Sequence, residues 1–117
     1  GRRHYAVKQA QVQLAEMQFQ RENLERSLRA QVDLAIDNIN KEVRQISTNA
    51  EGMRQAEKAH QIMQKSFEIG AASYLDLRDS ELAETTARLA YYQAIYNYLI
   101  STSELDLLLG RGLPSHN

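Results

Sequence analysis

The chain has 117 residues, enough for one domain, and no cysteine, so neither a disulfide framework nor a thiolate metal site can form. Its 14 Lys and Arg against 15 Asp and Glu give a formal charge of -1, without the basic excess of a general nucleic-acid binder, so no nucleic-acid partner is expected. No apolar run approaches the ~20 residues of a membrane-spanning helix.

The first predicted element is a helix from about residue 3 to 69. Its early apolar stripe is Val7, Ala10, Leu14, Met17, Leu24 and Leu28, broken by Arg21. Its later stripe is Ile36, Ile39, Val43, Ile46, Ala50 and Met53, with His60 and Phe67 near the same face. Steps of three and four are the seam of a coiled coil. From Leu24 through Leu28 and Val32 to Ile36 the steps are all four, a stutter that rotates the buried face. Gly52 sits inside this helix at a cost of ~1 kcal/mol relative to Ala.

The helix is expected to stop at Ile69. Gly70 has no Cβ and can take the left-handed conformation that closes a helix. Ser73 can cap a new helix, and Asp76 can reach back to it, a capping box with Asp in place of Glu. The chain therefore reverses at a tip made of Gly70, Ala71, Ala72 and Ser73.

The second predicted helix runs from about 74 to 109. One stripe is Leu75, Leu82, Leu89 and Tyr96, and an adjacent one is Ala83, Ala87, Ala90 and Ala94. Two seams imply a helix packed between two neighbours, with alanines allowing close approach. Gly110, Gly112 and Pro114 are expected to end it. The fold class is all-α, a long antiparallel two-helix coiled-coil hairpin forming a single segment. At ~1.5 Å per residue the helices span roughly 100 Å and about 55 Å. Residues before about Val32 therefore lack a partner within the hairpin. The isolated chain is expected to associate through Leu14, Met17, Leu24 and Leu28 as a dimer or small bundle.

The stretch from Phe67-Glu68-Ile69-Gly70 through Asp76 to Asp79, then Tyr96-Asn97-Tyr98-Leu99-Ile100 and Leu108-Leu109-Gly110, resembles the second repeat of TolC-type outer-membrane efflux proteins. Val7-Lys8-Gln9-Ala10-Gln11 resembles the start of that family's long descending helix. The likeness covers nearly the whole chain at matching spacing. It implies a trimeric conduit with an outer-membrane β-barrel and a periplasmic helical tunnel. This chain would be the periplasmic part, touching the membrane only through strands it does not contain. Gly1 is not an initiator Met and no signal peptide is visible, so the chain is expected to be an excised segment. The resemblance also implies that Gly70–Ser73 docks a periplasmic adaptor and an inner-membrane transporter, and that Asp76 and Asp79 narrow the tunnel mouth. Ala72 stands where the family's best-known member has an arginine, which argues against a gate-locking ion pair from this repeat.

Each feature also has a plainer reading. Asp76 and Asp79 fall at a helix start, where carboxylates are favoured by ~0.3–1 kcal/mol. Tyr91, Tyr92, Tyr96 and Tyr98 suit packing and interfaces. Glu57-Lys58-Ala59-His60 matches the Glu-x-x-His of di-iron bundles, but no second copy exists, so His60 is expected to be a partly buried helix residue. No nucleophile–base pair or phosphate loop is recognisable, so neither an enzyme nor a cofactor is expected. The alternative to a conduit is a generic antiparallel coiled-coil scaffold or adaptor hairpin.

Overall fold

A computed structural model describes residues 1–112. Helix α1 spans Arg2–Glu68 and helix α2 spans Tyr74–Gly112. They pack against each other as a hairpin 102 Å long and 25 by 16 Å across. No proline interrupts residues 1–112, so nothing removes a backbone donor from either helix. Helix α2 runs through Gly110 to Gly112, three residues beyond the expected end at 109. A single glycine inside a helix costs only ~1 kcal/mol and is not by itself a stop. Pro114 and the tail after it lie outside the described residues.

The reversal is built as the local sequence requires. Ile69 caps α1, and Gly70 follows with φ of 78°. The Gly70 amide donates to the Phe67 carbonyl at 3.0 Å, and the Ala71 amide donates to the Ser66 carbonyl at 2.7 Å. This pair of bonds is the Schellman closure, which satisfies carbonyls that the helix end would leave empty. A Cβ at Gly70 would meet nothing within 4 Å, so the penalty for a larger residue lies wholly in the left-handed backbone. Gly70→Ala is therefore expected to lower hairpin stability by ~1 kcal/mol. Urea unfolding followed by circular dichroism reads this, and an unchanged midpoint would refute it.

The seam between the helices alternates steps of three and four. On α1 it is Leu28, Val32, Ala35, Ile39, Glu42, Ile46, Asn49, Met53, Ala56, His60 and Met63, all half-buried. On α2 it is Leu77, Ser80, Glu84, Ala87, Tyr91, Ala94, Tyr98, Ser101, Leu105 and Leu108, all half-buried or buried. Among the described residues only Ala94 and Ser101 are fully buried. Polar pairs interrupt this seam. Asn38 Nδ2 donates to Ser101 Oγ at 2.9 Å, and Asn49 Nδ2 donates to the Ala90 carbonyl at 3.0 Å. Small and polar residues thus alternate with Leu, Val, Ile, Met and Tyr along the seam, which limits the apolar surface it excludes from water.

The seam differs from the stripes read in the sequence. Ile36 and Val43 flank it, 43% and 48% exposed. Leu75, Leu82, Leu89 and Tyr96 are not in it at all, being 59–68% exposed on the side of α2 turned away from α1. Of the alanine stripe, Ala94 is buried against α1 and Ala87 half-buried, whereas Ala83 and Ala90 are exposed. Every residue before Leu28 is exposed, so α1 loses its partner within a few residues of the expected position near Val32, at the stutter.

Candidate functional site

Three surfaces stand out, the tip, the outer face of α2 and the unpartnered start of α1. At the tip, Ser73 and Asp76 bond reciprocally. The Ser73 amide donates to Asp76 Oδ2 at 3.1 Å, and the Asp76 amide donates to Ser73 Oγ at 3.1 Å. The Ser73 carbonyl accepts the first helical bond, from the Leu77 amide at 3.2 Å. Ser73 is thus the N-cap of α2, and two otherwise empty amides are satisfied. Phe67 and Tyr74 meet across the turn with ring centroids 6.2 Å apart and planes tilted by 58°. Of the two tip alanines, Ala71 is exposed and Ala72 half-buried.

The cap acts on charge as well as shape. The Ser73 amide first, and its hydroxyl second, hold the Asp76 carboxyl below its ordinary value. Because folding lowers it, the ionised carboxylate stabilises the turn at neutral pH. That contribution is complete above the range in which the unfolded carboxyl titrates, and it is lost as pH falls through the lowered value. Asp79 lies one turn further along, exposed, between Leu75 and Leu82.

The outer face of α2 carries an apolar row of its own. Leu75, Leu82, Leu89 and Tyr96 recur every seven residues opposite the seam, with Tyr92 and Leu99 beside them at 58% and 54% exposure. The four tyrosines divide, Tyr91 and Tyr98 entering the seam and Tyr92 and Tyr96 lying outside it. The outward row of α1 is instead Asp37, Arg44, Glu51, Lys58 and Lys65, all exposed. Glu51 pairs there with Arg54, which lowers the Glu51 carboxyl through a hydrogen bond and through its charge. Charged residues at this spacing make a solvated face. One long side of the hairpin is thus suited to water and another to a further helix. The start of α1 adds a third unpartnered stripe, with Val7, Leu14, Met17 and Leu24 all 53–65% exposed.

One cluster was only half visible in the sequence. His60 is partly buried, its side chain 19% exposed, as expected, and its Nδ1 lies 2.5 Å from Glu84 Oε2 on the facing helix. Arg88 bonds Glu84 at 2.9 Å and reaches across to Glu57 at 3.6 Å. Glu57 and His60 thus turn to two different α2 residues. The signal for Glu84 was its distance from the tip. His60 and Glu84 each lie 12 residues from Ala72, so a reversal there brings them level.

The family model described as outer membrane efflux protein matches residues 1–111, nearly all of the described chain. The chain belongs to the outer membrane efflux protein family. Comparison with the curated proteins and with the solved structures gives no match. Membership places the hairpin in a transport family associated with the outer membrane. No described helix is long and apolar enough to cross a membrane.

Proposed function

We propose that this hairpin is a segment of the wall of a trimeric efflux conduit, in its periplasmic tunnel, with the tip at Gly70–Ser73 docking a periplasmic adaptor and an inner-membrane transporter. The observation that carries the reading is the two-sided α2. One side holds α1 through Leu77, Tyr91, Tyr98, Leu105 and Leu108 with small and polar residues between them, and the opposite side presents Leu75, Leu82, Leu89 and Tyr96 to nothing among the described residues. A free-standing rod would leave that row in water. A wall closed around a tunnel gives each helix two neighbours, which is what such a helix needs.

The start of α1 supports the same reading. Its stripe continues the seam beyond the end of α2, and a further helix in line with α2 would cover it. In the isolated chain, a second copy covers Val7, Leu14, Met17 and Leu24 in its place, giving a dimer or small bundle. Asp76 and Asp79 sit in the first two turns after the tip and form the constriction at the tunnel mouth. There, three copies of each carboxylate repel one another, opposing the Ser73 hydrogen bonds that favour ionisation of Asp76. The role is structural and conductive, with no bond-making chemistry.

The test is the full-length protein carrying Leu82→Glu and Leu89→Glu. Joint loss of assembly and efflux supports the wall. Retained assembly and efflux would leave a generic two-helix scaffold as the better reading.

A further inference from the structure

We propose that His60 is an acid-driven clamp between α1 and α2. The ring lies in the seam with acceptors on both sides. Its Nδ1 is 2.5 Å from Glu84 Oε2, and its Nε2 is 3.9 Å from Glu81 Oε1. The Nε2 atom is buried and has no hydrogen-bond partner. A neutral imidazole has one N–H and one lone pair. Bonding the Glu84 carboxylate uses the N–H at Nδ1 and leaves the Nε2 lone pair buried, facing a second carboxylate. The imidazolium has an N–H on both nitrogens and suits both carboxylates. Glu81 is 40% exposed and meets Arg78 through its other oxygen, Oε2, so a small turn of its carboxylate closes the gap from Oε1 to Nε2.

Charged groups from both helices surround the ring. Glu57 comes from α1, and Glu81, Glu84, Arg78 and Arg88 come from α2. Arg78 holds Glu81 at 3.1 Å, and Arg88 holds Glu84 at 2.9 Å while reaching Glu57 at 3.6 Å. Three carboxylates thus face two permanent cations, and a protonated His60 supplies the third. Acid adds a cross-helix bond near the tip, and alkali removes it. The clamp stands on the hairpin alone and does not depend on the conduit reading.

The experiment is amide hydrogen exchange on the 117-residue chain at about pH 5.5 and about pH 8, a range that spans histidine titration and keeps carboxylates ionised. Protection, corrected for the intrinsic rate, is compared between residues 57–66 and 78–88 near the clamp and residues 32–46 remote from it. In the wild type the ratio of near to remote protection should fall about fivefold on going to the higher pH, the size of effect expected for one net hydrogen bond. His60→Leu and Glu81→Ala should each make the ratio independent of pH. Glu81→Ala removes a side chain outside the seam's centre and keeps the test open should His60→Leu unfold. A wild-type ratio that does not change, or a Glu81→Ala protein that keeps the full change, would overturn the clamp.

Discussion

Full-length protein carrying Leu82→Glu and Leu89→Glu is expected to lose its assembled form while this hairpin still folds. Both leucines lie on the far side of α2, 67% and 63% exposed, so neither change removes a contact with α1. Surface substitutions of this kind usually alter stability by no more than ~0.5 kcal/mol. Packed against a neighbouring helix, the same positions become costly. A carboxylate forced into an apolar interface without a partner costs several kcal/mol, and the cost recurs in every copy. The two outcomes are separable. Circular dichroism of the 117-residue chain with both substitutions should match the wild type, whereas the full-length protein should run as monomers on native gels and fail to export a fluorescent dye. Normal trimers with normal export would place the row in solvent and remove the main support for the wall.

The second large effect is expected at the mouth. Full-length trimer with Asp76→Asn and Asp79→Asn should lose its preference for cations and its block by multivalent cations in planar bilayers. In the proposed trimer, three copies of each carboxylate around a narrow opening would attract cations and bind multivalent ones strongly. The hairpin should survive the change, because the neutral side chain keeps an oxygen for the Ser73 amide and the Ser73 hydroxyl still accepts from residue 76. Only the charge-dependent part of the cap is removed, and it is the part that acid removes in the wild type. Unchanged selectivity and block in an assembled double mutant would reduce both aspartates to helix caps.

The turn was legible because its chemistry is local. Gly70, Ser73 and Asp76 determine their own conformations within ten residues, and the structure realises each bond that their spacing allows. The division of α1 was legible for a related reason, since the stutter between Leu24 and Ile36 marks the change from an exposed to a half-buried face. The α1–α2 seam of α2 was not legible. Ser80, Glu84, Ala87 and Ser101 alternate in it with Leu77, Tyr91, Tyr98, Leu105 and Leu108, and these small and polar members break the apolar run that would mark it. Leu75, Leu82 and Leu89 do, yet they face away from α1. An apolar pattern reports every surface a helix buries in its working state, and it does not say which neighbour buries which row. Where the strongest row belongs to an outside neighbour, periodicity identifies that row first. The His60 cluster was missed for the complementary reason. Its members are polar and far apart in sequence, and only the reversal at the tip brings Glu84 level with His60.

The most direct measurement is thiol accessibility in the assembled full-length protein. Single cysteines are placed at Leu82 and Leu89 on the outer row of α2, and at Arg44 and Lys58 on the charged row of α1. The chain has no cysteine of its own, so each label reports one position within it. All four positions are exposed in the isolated hairpin and should label alike in the 117-residue chain. In the assembled protein a water-soluble maleimide should react with Cys at 44 and 58, and should leave Cys at 82 and 89 unmodified until the trimer is denatured. Equal and rapid labelling of all four positions in the intact assembly would contradict a second neighbour for α2, and with it the account of this hairpin as part of a tunnel wall.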